Sequence, residues 1–416
     1  MSRQTMSRQT MSRQTMSQGI YLDNNATTRV DPEVLQEMLP LFTDHFGNPS
    51  SMHGFGAAVG GKIEWARCQV QALLGAAHDS EIVFTSGGTE SDNTAILSAL
   101  EAYPKKREIV TSVVEHPGVL ALCEYLEKKR GFTVHRIPVD GKGNLDMEAY
   151  RAALSDRVAI VSMMWANNET GTIFPVEELA RMAKEVGALF HTDAVQSVGK
   201  IPMKLADSAI DMLSLSGHKL HAPKGIGALY VKRGLRYRPM LRGGHQERSR
   251  RAGTENAPGI VGLGAAAQLA LLHMGDENTR VKALRDKLEQ AILAAVPSCF
   301  VTGNPDNRLP NTCNIAFEYI EGEAILLLLN EAGIAASSGS ACTSGSLEPS
   351  HVMRAMGVPY TAAHGATRFS LSRDTTEEEI DRVIAVVPGI IAKLRSLSPY
   401  WQQEAGKPKE FAPVYS

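Results

Sequence analysis

The chain has 416 residues, 43% of them hydrophobic and 21% charged, with a formal net charge of -2. That suits a globular protein long enough for two domains, and gives no electrostatic reason to expect nucleic acid or an anionic membrane as partner. Five cysteines, odd in number and without a CxxC pair, argue against a disulfide framework or zinc site and for reduced thiols in a cytoplasm.

The sequence begins with MSRQT three times before Met16. The repeat is polar, has no hydrophobic face and lacks an apolar segment of signal-peptide type, so residues 1–18 are expected to form a disordered tail. From Ile20 onward, β-rich runs alternate with helical patterns. EIVFT (81–85), REIVTSVV (107–114), RVAIVSMMW (157–165), ALFHTD (188–193), DMLSLS (211–216) and GALYV (227–231) read as buried strands, with amphipathic segments such as 175–185 between them. The alternation predicts an α/β fold with a mainly parallel central sheet and reactive groups at the carboxyl ends of its strands. A long helical stretch over 256–296 is expected to break near Met274-Gly275-Asp276, and no apolar run is expected to reach a membrane span. Beyond it, NTCNIAFEY and TRFSLS read as strands. EAILLLLNEAG and TEEEIDRVIAVVPGIIAKL read as helices, which suggests a smaller α+β domain before a polar tail.

Several stretches could carry chemistry. In FTSGGTESDN, Gly88 and Thr89 lie between a strand and a helix, where free N–H groups and the helix dipole suit an anion; a plain turn capped by Thr89 is the alternative. Asp193 ends the strand in FHTDAVQSVGK, with Gln196 three residues on. There a carboxylate can hold a protonated heterocyclic nitrogen, or cap a following helix. Lys219 closely follows the strand DMLSLS, and a lysine held near apolar surface can form a Schiff base. Phosphate, pyridinium nitrogen and aldehyde are the three handles of pyridoxal 5′-phosphate, and each has a candidate partner here.

Cys342, in SSGSACTSGS, sits among small polar residues that leave a thiol accessible and free to travel, whereas the other cysteines read as inert core. His116, before Pro117, reads either as a ring-stacking or acid/base residue or as a turn histidine. In WANNETG, paired amides at a strand end could contact a ligand or form a turn. GGHQERSRRAGTEN reads as a solvated basic loop or an anion contact. Arg368, inside a β pattern, needs an anionic partner, which a substrate carboxylate would supply.

YLDNNATT, FGNPSSMH, TSGGTESDN, VEHP, NNETG, HTDAVQ, SGHKLHAPKG, RAGTEN and SSGSACTSG occur in this order between Tyr21 and Trp401. Together they resemble the fold-type I pyridoxal-phosphate enzymes, specifically cysteine desulfurases of the nitrogen-fixation (NifS) type. The resemblance implies a large cofactor domain over 29–272, a small domain from 19–28 and 273–405 carrying the Cys342 loop, and a polar tail over 406–416. It implies that Lys219 bears the cofactor, that Ser216 and His218 hold its phosphate with Gly88 and Thr89, and that Asp193 pairs with the ring nitrogen. It further implies Gln196 at the ring hydroxyl, His116 stacked on the ring, Asn168 at the ring hydroxyl or substrate, and Arg368 on the substrate carboxylate. Thr254 would reach the phosphate of a neighbouring subunit, which implies a homodimer. L-cysteine would yield L-alanine, its sulfur passing to Cys342 and then to an iron–sulfur scaffold protein. No intrinsic metal is implied, only transient contact of the Cys342 persulfide with a cluster. An aminotransferase or selenocysteine lyase on the same scaffold, or a cofactor-less sulfur relay, are the competing readings.

Overall fold

A computed structural model describes residues 19–338, 349–402 and 407–408. The MSRQT repeat, Cys342 with most of its loop, and the last eight residues lie outside the described residues.

The strands, in chain order, are β1 (Ile20–Tyr21), β2 (Ile82–Thr85), β3 (Glu108–Ser112), β4 (Thr133–Ile137), β5 (Val158–Met164), β6 (Leu189–Asp193), β7 (Met212–Ser216) and β8 (Gly227–Val231), followed by β9 (Cys299–Val301), β10 (Thr312–Phe317), β11 (Ile334–Ala335), β12 (Ala366–Ser370) and a pair of two-residue strands, β13 (Trp401–Gln402) and β14 (Lys407–Pro408). Seven of them form the central sheet, in the order β2-β8-β7-β6-β5-β3-β4. β8 runs antiparallel to both its neighbours, and the other pairings are parallel. Every residue of β2, β3, β5, β6, β7 and β8 is buried, which is why these strands read as continuous apolar runs rather than alternating ones. Of the seven, the strand missed from the sequence is β4, at the sheet edge, whose burial is mixed and whose His135 and Arg136 interrupt the apolar run. Outside the central sheet the short β1, β9, β11, β13 and β14 were missed too.

Helices cover both faces. Gly54–Leu74 packs against Ala257–Asp276 so closely that a Cβ on Gly264 would lie 2.5 Å from the Ala66 Cα. A second core lies around β9, β10 and β12. It joins Leu22 and Val281 to the faces of Lys282–Ala295, Gly322–Glu331 and Glu377–Leu397. The segment 352–366 instead packs into the first core through Val352, Met353, Val358 and Ala362.

Three expectations are corrected. The long helix does not stop at Gly275. It runs to Asp276, passes through a π-helical turn at Glu277–Val281, and continues as Lys282–Ala295. This helix is also long and apolar enough to cross a membrane, with a mean hydropathy of 1.4 over its most apolar window. However, 61% of that window is buried within the protein, so it is a core helix. Finally, Cys68 is exposed, because it lies on the face of Gly54–Leu74 opposite Ile63, Ala66 and Val70.

Candidate active site

The carboxyl ends of β5, β6 and β7 converge on a cavity of about 360 Å³. Its wall includes Gly88, Thr89, His116, Asn168, Asp193, Gln196, Ser216, His218, Lys219 and Arg368. Ten of the twelve residues singled out in the sequence therefore meet in one place. Thr254 does not: it is exposed in the loop before Ala257. Cys342 lies outside the described residues, and Pro349 and Ser350, which follow its loop, line the cavity.

Lys219 closes a 3-10 turn, Gly217–Lys219, directly after β7. Its Nζ donates to the backbone oxygens of Asn25 at 2.5 Å and Ala26 at 2.7 Å. Burial, aided by the nearby charges of Arg368 and Lys200, pulls its pKa down to about 8. The basic cluster noted in the sequence is thus no solvated turn. The amine is held in readiness to lose its proton, and burial lowers His218 to about 4, leaving that ring neutral.

Asp193 caps a turn rather than a helix, its Oδ1 accepting from the Val195 N–H at 2.9 Å. Burial raises its pKa, opposed by the charges of His116 and Lys219. Asp92 lies behind it, also raised by burial and by the Asp193 charge. A buried carboxylate in this position calls for a cation.

Gln196 donates from Nε2 to the Asn25 oxygen at 3.0 Å, while its Oε1 is buried without a partner among the described residues. At the other end of the cavity the helix Gly88–Ala102 begins at Gly88, where a Cβ would meet the Val195 Cγ2 at 2.9 Å. Backbone N–H groups at a bare helix start, next to Ser216 and His218, suit a phosphate. A phosphorylated pyridine aldehyde answers all three features: anion at the helix start, ring cation at Asp193, carbonyl at Lys219. The donor set therefore fits pyridoxal 5′-phosphate.

Arg368 stands in β12 and is 2% exposed. Its Nη2 bonds to Asp23 Oδ1 at 2.8 Å and its Nη1 to the Asn168 backbone oxygen at 2.9 Å, while Nε is buried and has no partner among the described residues. Asp23 thus supplies an anionic partner that the sequence reading left to the substrate, and it orients the guanidinium at the cavity edge. In WANNETG the turn chemistry belongs to Asn167, whose Oδ1 accepts from the Glu169 and Thr170 N–H groups, which leaves the Asn168 side chain to the cavity.

The loop GGHQERSRRAGTEN is not merely solvated. Glu247 and Arg248 adopt left-handed φ of 48° and 57°. Glu247 is buried, bonding to Arg67 at 2.7 and 2.8 Å and accepting from the Phe84 N–H at 2.9 Å. That pair holds the loop bearing Thr254 beside β2.

Sequence reading gave no role to Asp23, Asn25, Asp92, Glu115, Glu169, Ser350 or His351. Asn25 lies in YLDNNATT and Ser350 in SLEPSHVM, stretches whose local pattern reveals nothing of where they pack.

The class-V aminotransferase family matches residues 20–383. The chain is 75% identical over 400 residues to a cysteine desulfurase of Azospirillum brasilense, covering 96% of this chain and 99% of that protein. It is 69% identical over 401 residues to the cysteine desulfurase NifS of Azotobacter vinelandii, covering 95% and 99%. Among solved structures, a NifS-like protein superposes with a TM-score of 0.85 at 39% identity, covering 90% of this chain and 100% of that one.

Proposed function

This chain belongs to the class-V aminotransferase family and, within it, to the cysteine desulfurases, and we propose that its cavity converts L-cysteine to L-alanine with Cys342 as sulfur acceptor. The observation that carries this reading is the convergence of Lys219, Asp193 and Arg368 on one cavity.

Pyridoxal 5′-phosphate, when bound, supplies an aldehyde for amines and an electron sink for the substrate carbon. Asp193 and Gln196 would hold its ring, His116 would lie against it, and Gly88, Thr89, Ser216 and His218 would grip its phosphate. Arg368 binds the substrate carboxylate and, with Asn168, orients Cα–H across the ring plane. Lys219, with a pKa of about 8, takes the Cα proton as a neutral amine. The Cys342 thiolate attacks the substrate sulfur. An S–S bond forms, the Cβ–S bond breaks, its electron pair stays with the carbon skeleton, and a proton delivered to Cβ followed by return of the proton from Lys219 to Cα completes alanine.

Phe42, Phe46, Phe55 and Leu272 are large, apolar and exposed, and Thr254 is exposed nearby in sequence to a strained loop; both features support a homodimer in which Thr254 reaches the partner's cofactor phosphate. We take residues 29–272 as the cofactor domain, with 19–28 and 273–405 as the small domain. The sulfur would pass in the cytoplasm to an iron–sulfur scaffold, and the likeness to NifS favours one serving nitrogenase.

The test is Cys342→Ala beside Lys219→Ala. Cys342→Ala should keep the yellow colour and form no alanine; Lys219→Ala should lose the borohydride-reducible colour. Unchanged alanine formation by Cys342→Ala would overturn the assignment.

A further inference from the structure

Three imidazoles line the cavity. His218, which burial lowers to about 4, would serve the phosphate, while the hydrogen bonds of His116 and His351 make these two present opposite atoms to the cavity. His116 caps the helix Pro117–Arg130, its Nδ1 accepting from the Gly118 N–H at 3.1 Å. A nitrogen that accepts an N–H carries no proton, so the neutral ring holds its proton on Nε2 and presents a donor. Burial keeps this ring below the usual histidine range, against the pull of Asp193.

His351 begins the helix His351–Ala355 and lies 3.0 Å through Nε2 from the backbone oxygen of Glu115. A carbonyl only accepts, so Nε2 carries the proton and the lone pair resides on Nδ1. Nδ1 has no hydrogen-bond partner among the described residues. Next to it, Ser350 caps the same helix and donates to Glu169 Oε2 at 2.6 Å, which pins an acid beside the ring. One ring therefore gives a hydrogen bond and the other takes a proton.

We propose that His351 is a second catalytic imidazole, whose Nδ1 takes a proton from the ammonium group of the entering L-cysteine. This rests on the desulfurase reading above. Free cysteine arrives as an ammonium, which has no lone pair with which to displace Lys219. At that moment Lys219 is committed to the cofactor, and His116 presents N–H. Transfer breaks one N–H bond of the substrate, leaves its electron pair on nitrogen, and forms N–H at Nδ1. The groups facing the new imidazolium are Glu115 and His116 from the turn after β3, Glu169 from the turn after β5, and Arg354 on its own helix. Asp193, Lys219 and Arg368 stand across the cavity.

Two measurements test this. In cofactor-free protein with 15N-labelled histidine, the resonances lost in His351→Gln should show the Nε2–H tautomer. An Nδ1–H tautomer overturns the proposal. In the loaded enzyme, His351→Gln should lower kcat/KM for L-cysteine by about 100-fold at pH 7. The loss should shrink as pH rises, and added imidazole should restore part of it, with colour unchanged. A pH profile superimposable on that of the parent overturns the role. His351→Asn, which retains a donor for the Glu115 oxygen, gives the same readouts should the Gln variant not fold. A parent enzyme that forms no alanine sinks the desulfurase reading itself; an active parent with an unmoved variant profile sinks only the role of His351.

Discussion

Lys219 Nζ donates to the backbone oxygen of Asn25 at 2.5 Å, and the Gln196 side chain donates to the same oxygen at 3.0 Å. The amine is thereby docked on the segment that follows β1, which pairs with β11 beside the second core. Burial and the nearby charges of Arg368 and Lys200, which outweigh this docking, explain a pKa of about 8.

The first prediction follows from that value. Only the neutral amine attacks an aldehyde, so colour development on adding pyridoxal phosphate to cofactor-free protein should accelerate with pH and level off above about pH 8. A lysine with its ordinary proton affinity would keep accelerating to about pH 10. Stopped-flow absorbance across pH 6.5–10 distinguishes the two.

Arg368 offers a planar fork already half engaged by Asp23 and Asn168. Arg368→Lys keeps the charge but loses the fork, so colour should persist while KM for L-cysteine rises about 10- to 100-fold. Steady-state alanine formation measures this. An unchanged KM would remove Arg368 from substrate binding.

Glu115 is wholly buried, and burial lifts its carboxyl to about 8 although Ser112 and the Met164 N–H bond to it. Unfolded, it would ionise near pH 4.3. The folded chain therefore holds the extra proton between those values. The contribution of this group is full below about pH 4, is lost as pH rises, and levels off above about pH 8. Glu115→Gln keeps an acceptor for both donors and removes the slope. Urea unfolding should find it close to the parent at pH 5 and about 1–3 kcal/mol more stable at pH 9.

The Arg67–Glu247 pair has side chains only 5% and 3% exposed. Arg67→Met leaves a buried carboxylate facing little besides the Phe84 N–H, which should cost about 3–5 kcal/mol. The double variant Arg67→Met/Glu247→Leu should recover much of that, since neither charge is then stranded. Thermal unfolding of both single variants and the double one closes the cycle.

Much of the fold could be read without coordinates. Strands buried on both faces are mainly apolar, so β2, β3, β5, β6, β7 and β8 announced themselves, and the glycine, aspartate and lysine at their ends pointed to one cofactor. β4 escaped because an edge strand tolerates polar residues. The pattern break near Met274-Gly275-Asp276 was legible, but not that the helix carries on past it through a π turn at Glu277–Val281, because a break in periodicity does not say whether the backbone stops.

Since chemistry depends on side-chain type and on position at a strand end, the sequence by itself pointed to most of the candidate reacting groups, though not to Asp23 or His351. Only the tertiary structure decided their state. Which oxygen holds Lys219, which carboxylate steadies Arg368, and which ring nitrogen of His351 is left bare are all set by segments remote in the chain, 194, 345 and 236 residues away respectively. Proton affinity and tautomer depend on burial and on such through-space partners, and no local pattern of residues encodes either.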